Sequence, residues 1–312
     1  MLRVSHLLSF CFLLLLHSSA FSQTSCAPST ANSTSSGFRL ASLPRKLQAE
    51  ARTTLQDLLD HEGLYTVFSD LKPMSTGFWS TRYPEAEGEP VAVQNMRQIL
   101  ATFRIEQHIT AGVLVFDKSY EGTRFAEGFV ANLPVLKRLL QQHAEFFQSL
   151  GLNPHSSAQE IIETVDRAEP AKRFRGFGLL FGYPQHAVDF FVTAQQQQQE
   201  TEKFVERDFF HVETFSQEKG AFVWAVPKGH IPNDDDLKIQ TQAKVVLDRY
   251  RQLRNIWSEN ALPLETLVNY WLQPSPTIEQ VAYRDRSDYR RSVRPFAKWR
   301  TALSAKLRRD CR

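Results

Sequence analysis

Residues 209–226 read FFHVETFSQEKGAFVWAV. Two short runs, Phe209–Phe215 and Ala221–Val226, are rich in aromatic and β-branched residues. A polar stretch ending in glycine, Ser216–Gly220, joins them. That pattern predicts a β-hairpin. Asn233 and three aspartates follow, then Val246, Tyr250, Leu253 and Trp257 at helical spacing, so a long helix is predicted from Asp234 to about Trp257. A hairpin followed by a long helix is not the alternating strand–helix order of a parallel sheet. It points to the α+β class: a helix-rich single domain with a small mixed or antiparallel sheet.

Upstream, Leu40, Leu43, Leu47, Ala51, Leu55, Leu58 and Leu59 predict a helix over Leu40–His61, with Gly63 as its stop. Residues 64–90, which include Lys72–Gly77, read as irregular and as a candidate binding loop, with Phe78, Trp79 and Tyr83 as an aromatic contact surface. Further helices are expected over Val91–Arg104, Leu133–Leu150 (stopped by Gly151) and Ser157–Ala168. Buried strands are expected at Ala111–Phe116 and Gly176–Phe181. Pro184 suits the first turn of a helix running through the Gln195–Gln199 tract to about Glu206.

The ends carry the strongest compositional signals. Arg3, the apolar run Leu7–Leu16 and the small-x-small Ala20-Phe21-Ser22 predict a secretory signal peptide over residues 1–22. A run of about ten apolar residues is too short to span a bilayer. The expected product is secreted or periplasmic and soluble. Residues 23–37, rich in Ser and Thr, read as a flexible linker, and 38–282 as the globular domain. Cys26 could be acylated, but Gln23-Thr24-Ser25 lacks the aliphatic residue that usually stands three before a lipidated cysteine, which argues against a lipid anchor. Cys26 and Cys311 remain in the mature chain. They read either as a disulfide pair of an oxidising compartment or as two unpaired thiols on terminal tails.

The chain carries a net charge of +3. From Tyr283 to Arg312 there are eleven Lys and Arg against three Asp, so the basic charge is concentrated there and the body is acidic. Phe296, Trp299, Leu303 and Leu307 give that segment an apolar stripe. It reads as a basic C-terminal helix able to dock on the domain or on an anionic membrane or cell-wall surface. An acidic exported body argues against nucleic acid as a partner.

Chemistry is sparsely marked. No Gly-x-Ser-x-Gly elbow occurs, and Gly176, Gly178 and Gly182 do not have the spacing of a phosphate-binding loop. His211 and Glu213 share a strand face, and His230 follows the second strand with Asp234–Asp236 beside it. These three residues could hold a divalent metal such as zinc and serve an extracytoplasmic metal-dependent hydrolase. Lys228, in the loop before the long helix, is a further binding candidate, alongside Trp79 and Tyr83. No cofactor is demanded by the sequence. The composite expectation is an exported binding or interaction module for an unknown ligand or protein, with the hydrolase and tail-mediated surface association as alternatives.

Overall fold

A computed structural model of the chain describes residues 37–216 and 222–272. The leader, the linker up to residue 36, Cys26 and Cys311, and the basic segment 283–312 lie outside the described residues. In chain order the elements are α1 (Arg45–Asp60), α2 (Gly63–Phe68), β1 (Met74–Ser75), β2 (Ser80–Pro84), α3 (Val91–Leu100), β3 (Ile109–Val115), β4 (Thr123–Asn132), α4 (Leu133–Gln142) and α5 (Ala144–Gln148). Then come α6 (Ala158–Arg167), α7 (Pro170–Leu180), α8 (Gln185–Thr201), β5 (Arg207–Val212), β6 (Phe222–Pro227), α9 (Asp234–Glu259) and α10 (Leu264–Leu272). The architecture is α+β, with every strand pairing antiparallel, in two sheets.

β4 organises the first sheet. On one side it pairs with β3, from Ile109↔Asn132 to Val115↔Ala126; on the other it pairs with β2 and then β1. Side chains alternate across it. Val113, Ala126 and Val130 enter one core with α1, α2 and α3, while Met74, Leu114, Phe129 and Ala131 enter another with α4, α6 and α7. Both faces are covered, so β4 lacks the polar-out pattern of a half-exposed strand. Its best local signal is the turn before it. Glu121 and Gly122 both have positive φ (49° and 72°), and Tyr120 and Thr123 exchange backbone hydrogen bonds across them. That is a two-residue hairpin turn of the primed kind.

The leucine stripe of α1 is buried as its periodicity requires, with Leu47, Leu55, Leu58 and Leu59 among its core residues. Burying each such side chain contributes about 1.5–3 kcal/mol. The start and stop differ from expectation. Leu40–Ser42 is a separate 3-10 turn and Pro44 is the N-cap of α1. Gly63 begins α2 instead of merely stopping α1: a Cβ there would lie 2.5 Å from the Leu58 carbonyl oxygen, so the chain folds back closely only with glycine at this position.

Three other expectations are corrected. Residues 64–90 are not irregular, for they hold α2, β1 and β2. The single helix expected over Leu133–Leu150 breaks at His143 into α4 and α5. Gly176–Phe181 is not a strand. It belongs largely to α7, capped by the Glu169 carboxylate on the amides of Ala171 and Lys172. This helix reads as a buried strand because it is apolar on several sides, and the packing explains why. Added Cβ atoms at Gly176 and Gly178 would lie 2.7 and 2.8 Å from Val165 of α6 and Val188 of α8, so α7 is wedged between two helices through its glycines.

The hairpin forms as expected. β5 and β6 pair from Arg207↔Pro227 to Val212↔Phe222. Val212, Phe222, Trp224 and Val226 face the core shared with α9, while Phe209 and His211 are exposed. Asn233 caps α9 by accepting from the amides of Asp235 and Asp236, and the Asp236 carboxylate accepts from the Asn233 amide. Ala243, Leu247, Tyr250, Leu253 and Trp257 are buried along the helix.

Candidate functional site

Two neighbouring features stand where α8, α9 and the hairpin exit meet. The first is a polar cluster. His186 lies in the first turn of α8, His230 in the turn after β6, and Asp236 in the first turn of α9. Asp236 is fully buried and receives four donors. The His186 Nε2 lies 3.0 Å from Oδ1, the His230 Nε2 2.7 Å from Oδ2, and the Trp224 indole N–H 3.1 Å from Oδ1; the Asn233 amide donates to Oδ2 at 3.1 Å. The two imidazole rings stack, 5.4 Å between centroids and 19° between planes.

Burial opposes the charge on Asp236, but the His230 bond, the Asn233 amide, His186 and the Trp224 indole outweigh it and hold this carboxyl below the usual carboxylate range. An ionised carboxylate only accepts hydrogen bonds, so both histidines donate to it through Nε2.

The second feature is a groove of about 480 Å³. Arg138 and Gln142 of α4, His143 after it, Gln185 of α8, and Asp235, Lys238 and Gln242 of α9 contribute polar groups. Leu71, Leu139, Leu179, Tyr183 and Ile239 contribute apolar surface. Gln185 and Asp235 adjoin His186 and Asp236 in the chain, so the groove and the cluster share their supporting turns. Burial, aided by the charge of Arg175, pushes His143 below the usual histidine value and favours its neutral form. The turn Gly182-Tyr183-Pro184 forms part of the wall. Gly182 has φ of 73°, and a Cβ there would come 2.6 Å from the Leu71 carbonyl oxygen.

The residues singled out from sequence fare differently. His211, Glu213 and His230 do not converge. His211 is exposed and stands four residues along β5 from Arg207, which faces Pro227 at the end that leads to His230. That separation is roughly 13 Å of strand. Glu213 ion-pairs with Arg251 at 3.4 Å. The metal set of His211, Glu213 and His230 is therefore corrected. Among the described residues the metal-competent group is His186, His230 and Asp236, whose ligand atoms lie within 4.8 Å of one another. Lys228 is exposed and held by Asp208 at 2.8 Å; the Gly229 amide donates to the same carboxylate. It fastens a turn instead of presenting a free cation. Tyr83 and Phe78 are buried, and Trp79 packs against the core, so the aromatic contact surface is also corrected. Arg173 binds the buried Asp166 at 2.7 Å.

No known family, curated protein or solved structure matches this chain. His186 and Lys238 were not among the residues singled out from sequence. His186 is 50 residues from Asp236, and no local pattern links them.

Proposed function

We propose that the chain is an exported binding module that takes a small ligand with an apolar body and polar groups of both signs in the groove between α4, α8 and α9. The observation that carries the proposal is the groove's mixed lining, in which Lys238, Asp235, Gln142, Gln242 and His143 stand among Leu71, Leu139, Leu179 and Ile239, with Arg138 paired to Asp70. Small-molecule sites are concave, largely apolar and fitted with a few directing polar groups. Lys238 and Asp235 are three apart on α9 and so lie on one helix face. Amino acids and short peptides present a carboxylate, an amine, amides and an apolar side chain, and they are the ligand class of first choice. Export is supported by the leader layout of residues 1–22.

Amide NMR spectra of the full mature chain, recorded with amino acids, short peptides and simple sugars, test the binding. One class is expected to shift the amides of Gly182, Gln185 and Lys238, and Lys238→Ala is expected to weaken that class. Shifts confined to other surfaces, or none with any class, would remove the groove. Recovery of the chain from cytosol with residues 1–22 still attached would remove export.

A further inference from the structure

We propose that His186, His230 and Asp236 form a binding site for one divalent transition-metal ion of the zinc class. The inference is independent of the groove: it rests on other side chains and would survive the failure of the binding reading.

Two imidazoles and one carboxylate converge from three different elements, with ligand atoms within 4.8 Å of one another. An ion bonded at roughly 2.0–2.2 Å holds tetrahedral ligand atoms roughly 3.4 Å apart. The His186 Nε2–Oδ1 and His230 Nε2–Oδ2 separations of 3.0 and 2.7 Å must open slightly, and ligand atoms as far as 4.8 Å apart must draw together, to admit it. Both rings already turn Nε2 toward one buried carboxylate, and they stack side by side. The exchange conserves protons. A ring that in its neutral form donates through Nε2 frees that nitrogen's lone pair for the ion when the hydrogen passes to Nδ1. Side-chain exposures of 26% for His186 and 14% for His230 leave the rings in reach of solvent while Asp236 stays buried.

The outer groups are also in place. The Trp224 indole holds one oxygen of Asp236 and the Asn233 amide holds the other. Such outer donors fix the orientation of a ligating carboxylate and are a regular part of metal sites. A set of two nitrogens and one oxygen favours zinc, copper, nickel or cobalt over calcium and magnesium, which need a shell of oxygens. Three protein ligands leave a fourth position for water or another small donor. The ion would join α8, the exit of β6 and α9 at one point.

The test uses the untagged mature chain, stripped with a chelator. Zn²⁺ is titrated in competition with a chromophoric chelator, and Co²⁺ is added separately to read the coordination from its visible spectrum. One equivalent of Zn²⁺ is expected to bind, with millimolar Mg²⁺ and Ca²⁺ unable to displace it. His186→Gln and His230→Gln are each expected to lower affinity by roughly 100-fold or more, at or above the loss seen on removing an outer partner. His211→Gln should change nothing. Because a variant can fail to fold, ¹⁵N spectra of the histidine rings in the unaltered chain give a second readout. Zn²⁺ should shift the ring nitrogens of His186 and His230. Absence of stoichiometric uptake, equal affinity in the folded His186 and His230 variants, or shifts on other histidines alone would overturn the site.

Discussion

The Lys72 ammonium, fully buried, lies 3.0 Å from the Glu62 carboxylate, donates to the Phe181 carbonyl at 2.7 Å and sits 4.1 Å from the centre of the Phe222 ring. One side chain thereby joins α2, the end of α7 and β6. Breaking a buried pair by removing one partner typically costs about 3–5 kcal/mol, because the other charge is left uncompensated. Glu62→Ala and Lys72→Met are each expected to fall in that range by urea denaturation. The double variant Glu62→Ala with Lys72→Met should lose less than the sum of the two single changes. Strict additivity would show that the pair is not coupled.

Glu62 also sets a pH dependence. Burial pushes its carboxyl above the usual carboxylate range, only partly opposed by Lys72. A carboxyl raised in the folded state favours folding most at pH below its unfolded value. That contribution is lost as pH rises through the folded value. The stability of the parent relative to Glu62→Gln is therefore expected to decline as pH rises from about 4.5. Urea midpoints of both proteins across that window measure it, and a growing difference would contradict the sign.

Glycine is required at the turn into α8. Gly182→Ala places a residue with a Cβ at φ 73° and against the Leu71 carbonyl oxygen. The left-handed conformation alone costs about 1–2 kcal/mol for a non-glycine residue, and the contact adds to it. Gly178→Ala, mid-helix in α7, should gain up to about 1 kcal/mol from helix propensity. It must then accommodate a contact of 2.8 Å with Val188, and overpacking costs about 1–3 kcal/mol. Thermal denaturation should show both variants destabilised, Gly182→Ala the more.

The cap of α9 is expected to contribute separately. Asn233→Ala removes the acceptor for two amides and should cost about 0.5–2 kcal/mol. It also frees the Asn233 segment that helps hold Asp236. The NMR resonance of the Trp224 indole N–H, which donates to Asp236, measured with the loss in stability, should shift as the indole environment loosens. A stability change without any shift would separate the cap from the cluster.

Much of the frame was legible in the sequence. The β5–β6 hairpin, α9 behind Asn233 and its three aspartates, the leucine stripe of α1 and the start of α6 near Ser157 all announce themselves within a few residues of chain. β4 escaped because a strand covered on both faces shows no alternation, and the Glu121-Gly122 turn before it was the one usable sign. α7 was misread because a helix packed through its glycines shows no amphipathic stripe. Trp79 and Tyr83 read as surface residues because aromatic side chains between turn residues look the same whether they cover a core or a ligand.

The amino-acid order alone set the fold class, the long capped helix and the hairpin, since each depends on spacing, capping and turn chemistry between near neighbours. The meeting of His186, His230 and Asp236, the burial of Lys72 against Glu62 and Phe181, and the groove over α9 were decided only in three dimensions. Lys72 and Phe181 are 109 residues apart, and the side chains that compete for each buried position are determined by packing across elements, which local pattern does not encode.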